Sequence, residues 1–79
     1  RMKTIARDVR TRWGTIDRID RTGDLVAFVN VADRVDVRGQ RRARRAAIAW
    51  MAVNPELQRG VQRYRFDLET PGGRVSDVF

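Results

Sequence analysis

The sequence contains no cysteine and no histidine. Without cysteine there is no disulfide framework, no thiolate zinc site and no cysteine nucleophile. Without histidine, the usual general base and the commonest transition-metal ligand are gone as well. Any chemistry must run on carboxylates and arginines. Lysine is nearly absent too, with Lys3 the single example. Long apolar runs are lacking: stretches such as "LVAFV" are far too short to span a bilayer. The opening residues do not resemble a secretory signal, so a cytoplasmic protein with no membrane partner is expected. No segment is low in complexity and no solenoid period recurs. Seventy-nine residues allow one domain, 1–79, near the size where a single apolar core only just suffices.

Positive charge is what the sequence has in excess. Seventeen basic residues against ten acidic ones leave a net charge of +7, and sixteen of the seventeen are arginine. Such a balance attracts polyanions, and the planar guanidinium fork suits phosphate oxygens better than an ammonium does. Nucleic acid is therefore the leading partner class, with DNA favoured over RNA. The plain alternative is a GC-rich genome, which raises the arginine count through its codons without any ligand.

Residues 4–13, "TIARDVRTRW", alternate, with Ile5, Val9 and Trp13 on one face and Asp8, Arg10 and Arg12 on the other, which predicts a half-buried strand. Gly14 offers a break before "TIDRID", where Ile16 and Asp17 are expected on opposite faces. "RTGD" reads as a hairpin turn with Gly23 free to take a positive φ. "LVAFVNV" is nearly continuously apolar, as a central strand covered on both faces should be. From about Gln40 the period becomes helical. Ala43, Ala47, Trp50 and Met51 share a stripe that Ala46 and Val53 widen, giving a helix over about 39–53. "NPE" ends it, because the residue before proline is pushed out of the α region. "RYRFDLET" predicts a fourth strand with Tyr64, Phe66 and Leu68 on one face. After the turn signal "PGG", "RVSDVF" adds a short edge strand.

The expected class is α+β, with a mixed sheet in the order β-β-β-α-β plus a short fifth strand and one helix on one face. The other face has no helix from this chain, so a partner or a second copy is expected to cover it. Trp13, Phe28, Trp50, Tyr64 and Phe66 are all read as core rather than as stacking platforms.

"RGQRRARR", residues 38–45, places Arg38, Arg41, Arg42, Arg44 and Arg45 around Gln40 at the expected helix start. Cations there oppose the macrodipole and repel one another. A run that costs stability in the free protein points to an anion, and free helix N–H groups are a natural phosphate site. The competing expectation is a solvated face whose arginines pair with Asp33, Asp36 or Glu56. No zinc-finger spacing and no RNP pattern is present, so binding should follow shape and backbone rather than base identity.

"WGTIDRIDRTGDLVAFVNVA" resembles the strand pair of the YraN-like family of small bacterial proteins, which belongs to the restriction-endonuclease-like, PD-(D/E)xK superfamily. That family reads roughly G-E-I-D-L-I, a turn, then V-F-V-E-V-K. "GQRRARRAAIAWMAVNP" is similar to its basic helix, and "YRFDLETPGGRVSDVF" to its R-F-D-V-V strand and terminal D-A-F. The resemblance implies a three-layer nuclease core in which carboxylates hold Mg²⁺ near a scissile phosphate. Asp17 falls on the metal-binding aspartate. Thr15 stands at the preceding glutamate, Asn30 at the glutamate of E-x-K and Ala32 at its lysine. The family also begins with a helix that this chain, N-terminally short by comparison, does not carry.

The spacing is kept and the chemistry is not. A non-catalytic DNA-binding domain of nuclease-like fold is therefore expected, with no cofactor, Asp17 as a residual metal position, and Arg38, Gln40, Arg41, Arg42, Arg44 and Arg45 on phosphate. The alternative is a Mg²⁺-dependent, resolvase-like endonuclease in which Asp20, Asp67 or a second subunit assists Asp17. A further alternative is a structural or dimerisation module.

Overall fold

A computed structural model describes residues 1–78. Strand β1 (Lys3–Thr11) turns through Arg12 and Trp13 into β2 (Gly14–Thr22), which turns through Gly23 and Asp24 into β3 (Leu25–Val31). A polar connection leads to helix α1 (Val37–Val53) and a short 3₁₀ turn at Pro55–Gln58. The chain closes with β4 (Arg63–Thr70) and β5 (Gly73–Val78). The fifth strand was expected to run to Phe79, which lies outside the described residues. The sheet order is β1-β2-β3-β4-β5, antiparallel except for the β3–β4 pair, which is parallel. The apolar strand β3 is central, as its composition required, and the α+β class with its β-β-β-α-β order holds.

Gly23 sits at φ 56 and lets a two-residue turn join Thr22 to Leu25, a backbone region most side chains avoid. In β1 the simple alternation fails. A register shift between Thr4 and Ala6 inserts a bulge, and both Ile5 and Ala6 pack against the core. Helix α1 starts at Val37, earlier than the helical period announced. Asp36 caps it, its carboxylate accepting the Arg38 backbone N–H at 3.0 Å. The buried helix stripe is Ala43, Ala46, Ala47 and Trp50. Val53, expected to widen it, is the last helical residue and is 73% exposed.

Under the helix, Phe28 stands edge-on to Trp50 at 5.7 Å and stacks on Tyr64 at 6.2 Å. Ile16, Ile19, Val26 and Phe66 complete this cluster. The opposite sheet face was expected to need a partner, yet Ala27 and Val29 are already shielded from solvent there. Ala27 pairs with Asp20 and Arg65, and Val29 with Arg18 and Asp67. The arginine stems lie over the small apolar side chains while their heads pair with carboxylates. Arg18 Nε donates to Asp20 at 2.8 Å, and Thr4 Oγ1 donates to the other oxygen of Asp20. Arg65 Nη2 donates to Asp67 at 2.9 Å, Arg74 stands 3.5 Å from the same carboxylate, and Arg74 also binds Glu69. The hydrogen bond to Asp20 raises the Arg18 pKa above its ordinary value, and the Arg74 guanidinium holds Glu69 below the usual glutamate value. The chain itself supplies two layers, a helix and a sheet, with a lattice of ion pairs over the second face.

Candidate nucleic-acid interface

The regular β2–β3 pairing runs from Thr22 opposite Leu25 to Arg18 opposite Val29. One step further the ladder is replaced by side chains. Asn30 Oδ1 accepts the Asp17 backbone N–H at 2.7 Å, and Asp17 Oδ2 accepts the Val31 backbone N–H at 2.8 Å. The two residues thus bridge the strands reciprocally where the main chains part. The parting opens a cleft of about 490 Å³ lined by Thr15, Asp17, Asn30, Ala32 and Gln40 among others. The four positions that the resemblance aligns with the family's metal site therefore line one cleft.

Their donors do not fit a Mg²⁺ ion. Such an ion demands near-octahedral oxygen ligation anchored by carboxylates. Here Asp17 has one oxygen committed to Val31 and the Asn30 oxygen is committed to Asp17. Ala32 offers a methyl group, and its N–H bonds the Glu69 carbonyl at 2.9 Å. Among the described residues, no group of three or more acidic, histidine or cysteine side chains is placed to hold a metal. In the nuclease alternative, Asp20 or Asp67 was to assist Asp17. They lie instead on the opposite sheet face, where arginines hold both.

The geometry makes Asp17 and Asn30 a clamp. Removing either acceptor leaves a backbone N–H without its partner, which costs about 1–3 kcal/mol. Asn30→Ala is expected to lower stability by about 1–2 kcal/mol in urea titrations, and Asp17→Ala by about 0.5–1 kcal/mol, because its bond to Val31 is exposed and water can replace it. Mn²⁺ should leave the melting temperature of the wild type unchanged. A metal-induced rise that Asp17→Ala abolishes would instead mark a real ion site, because a bound ligand stabilises only the state that holds it.

The expected arginines divide by helix geometry. Arg38, Arg42 and Arg45 are spaced i, i+4, i+7 and share one flank. Along that flank, Arg42 lines a recess of about 200 Å³ with Trp13, Gly14, Thr15 and Asn30. The Arg45 guanidinium lies 5.1 Å from the Trp13 ring centroid, and that of Arg12 lies 5.4 Å from it. Arg38 and Arg41 also line a surface groove with Asp36 and Val37. Arg44 is half-buried on the other flank. Gln40 faces the Asp17 cleft.

Two expectations change here. Because Asp36 occupies the cap, the helix N-terminus is not a free phosphate cradle, and Arg41, Arg42, Arg44 and Arg45 stand beyond its first turn. Trp13, expected in the core, is 41% exposed at the tip of the β1–β2 hairpin. The alternation of β1 reached two residues too far, since "RW" is a two-residue turn held by Thr11 opposite Gly14. "TRWG", with a glycine at φ 134 closing a tight turn, was the available signal. Arg12 was missed for the same reason.

The chain is similar to proteins of several bacteria. A UPF0102 protein of Halorhodospira halophila is 40% identical over 93 aligned positions, covering 99% of this chain and 72% of the relative. One of Nocardia farcinica is 35% identical, covering 92% of this chain and 67% of the relative. One of Rhizobium johnstonii is 40% identical over 72 aligned positions, covering 80% of this chain; the alignment spans 59% of that relative's length. No family model matches the chain. Among the described residues, no helix is long and apolar enough to cross a membrane.

Proposed function

We infer that this chain, which belongs to the UPF0102 family of bacterial proteins, is a non-catalytic nucleic-acid-binding domain. The observation that carries the reading is the arginine flank of α1 lying directly beside an exposed tryptophan. Guanidinium groups spaced along one helix flank match a row of phosphates, and the net charge of +7 favours encounter with any polyanion. The resemblance to restriction-endonuclease-like proteins supports DNA as the ligand. The clamp between Asp17 and Asn30 supports binding without cleavage, since both groups already serve the backbone.

Affinity that rests on phosphate contacts falls with salt, the slope of log K against log salt being about −0.9 per contact for duplex DNA. Replacing Arg41, Arg42, Arg44 and Arg45 together with alanine should therefore reduce that slope by up to about 3–4, read by fluorescence anisotropy on a labelled duplex. An unchanged slope would remove the arginine helix as the binding surface. Mg²⁺- or Mn²⁺-dependent cleavage of branched or single-stranded DNA, lost in Asp17→Ala, would replace the non-catalytic reading with a nuclease.

A further inference from the structure

We propose that Trp13 is a stacking platform for an unpaired base, so that the preferred ligand is single-stranded nucleic acid rather than intact duplex. The proposal rests on the nucleic-acid reading above and sharpens its ligand. Trp13 is held at a hairpin tip by a two-residue turn and exposes 41% of its surface. The other tryptophan, Trp50, is 5% exposed and packed edge-on against Phe28. A large aromatic ring left at the surface among cations is what single-strand binders present to successive bases.

The contacts now made by the ring do not block it. Arg12 and Arg45 lie 5.4 and 5.1 Å from its centroid. Each exposed contact of this kind shifts an equilibrium by about two- to fivefold, whereas stacking a base shifts it by about five- to 150-fold. A base therefore displaces a guanidinium with net gain, and the displaced arginine stays within reach of the flanking phosphates. Arg42, on the wall of the same recess, continues that track along the helix. In a duplex the bases are already stacked on one another, so the ring has nothing to receive except at an open end. Cation and ring thus divide the work. The arginines bind either form, and Trp13 discriminates between them.

The test compares an oligothymidine with a blunt duplex of equal length, at one salt concentration, for the wild type, Trp13→Ala and Trp13→Phe. Trp13→Ala should weaken oligothymidine binding by about five- to 150-fold and change duplex binding by less than about twofold, while Trp13→Phe recovers most of the loss. Both variants should melt within a few degrees of the wild type, because substitutions at an exposed position usually act weakly. Equal losses on both ligands, or no loss on either, would overturn the stacking role while leaving the arginine surface intact. If the quadruple arginine variant binds both ligands normally, the arginine surface fails instead. A wild type that binds neither ligand overturns both.

Discussion

Asp67→Ala is expected to lower stability by about 3 kcal/mol, the usual range for breaking a buried pair being about 3–5 kcal/mol. Asp67 is fully buried, and its two oxygens meet Arg65, at 2.8 and 2.9 Å, and Arg74 at 3.5 Å. The Nε–Oδ1 contact is short but poorly angled for a hydrogen bond, so its contribution is chiefly electrostatic. Alanine leaves Arg65 beside Val29 without its counter-charge, while Arg74 keeps only Glu69. The loss falls at the lower end because the side chains of Arg65 and Arg74 keep 27% and 40% exposure, and solvent can rehydrate them. For a domain of this size, each kcal/mol shifts the melting temperature by about 4–8 °C. A calorimetric drop of about 12–24 °C should follow. Asp67→Asn keeps the shape and one acceptor and should lose roughly half as much. A loss below about 0.5 kcal/mol for Asp67→Ala, the level of an ordinary surface change, would show that the lattice over this face does not hold the sheet.

That lattice marks the limit of what the sequence could disclose. The central strand was legible because "LVAFV" is apolar on both sides, and the second hairpin because "TG" supplies the positive φ its turn needs. The helix stripe was legible from the spacing of Ala43, Ala47 and Trp50. In contrast, charged residues at alternate strand positions look solvent-facing in one dimension. Arg18, Asp20, Arg65 and Asp67 become a covering layer only when β2, β3 and β4 lie side by side. Arg18 pairs with Asp20 and Arg65 with Asp67 along their own strands, while Arg18 to Glu69 and Arg74 to Asp67 tie one strand to another. The candidate site divides in the same way. The family resemblance placed Asp17 and Asn30 at one site, while their use as backbone acceptors depends on where the two strands part. Trp13 was misread because alternation carries no marker for the residue at which a strand stops, and the exposed ring is the consequence.

On the helix side of the same sheet, cohesion is of the opposite kind, and Phe28→Ala should be the more damaging change. Phe28 is fully buried, with Trp50 edge-on above it and Tyr64 stacked beside it. Truncating a buried phenylalanine typically costs about 3–5 kcal/mol, through lost transfer energy and the cavity left behind. The aromatic pairs add about 0.5–1.5 kcal/mol each beyond their area. Collapse into the gap is resisted here. Ala43, Ala46 and Ala47 have no length to reach into it, and the sheet below is pinned by the pairing of Phe28 with Ile19 and Phe66. A domain of 79 residues has a total stability of about 4–12 kcal/mol, so Phe28→Ala should be largely unfolded at 37 °C. Phe28→Leu keeps most of the volume and should fold, with a reduced urea midpoint. The near-ultraviolet circular dichroism of Trp50 and Tyr64 should weaken even in the folded Leu variant, because their shared partner ring is gone. A Phe28→Ala protein that melts within a few degrees of the wild type would mean that the helix is held by something other than this cluster. The ion-pair face would then have to carry the stability that its solvent exposure argues against.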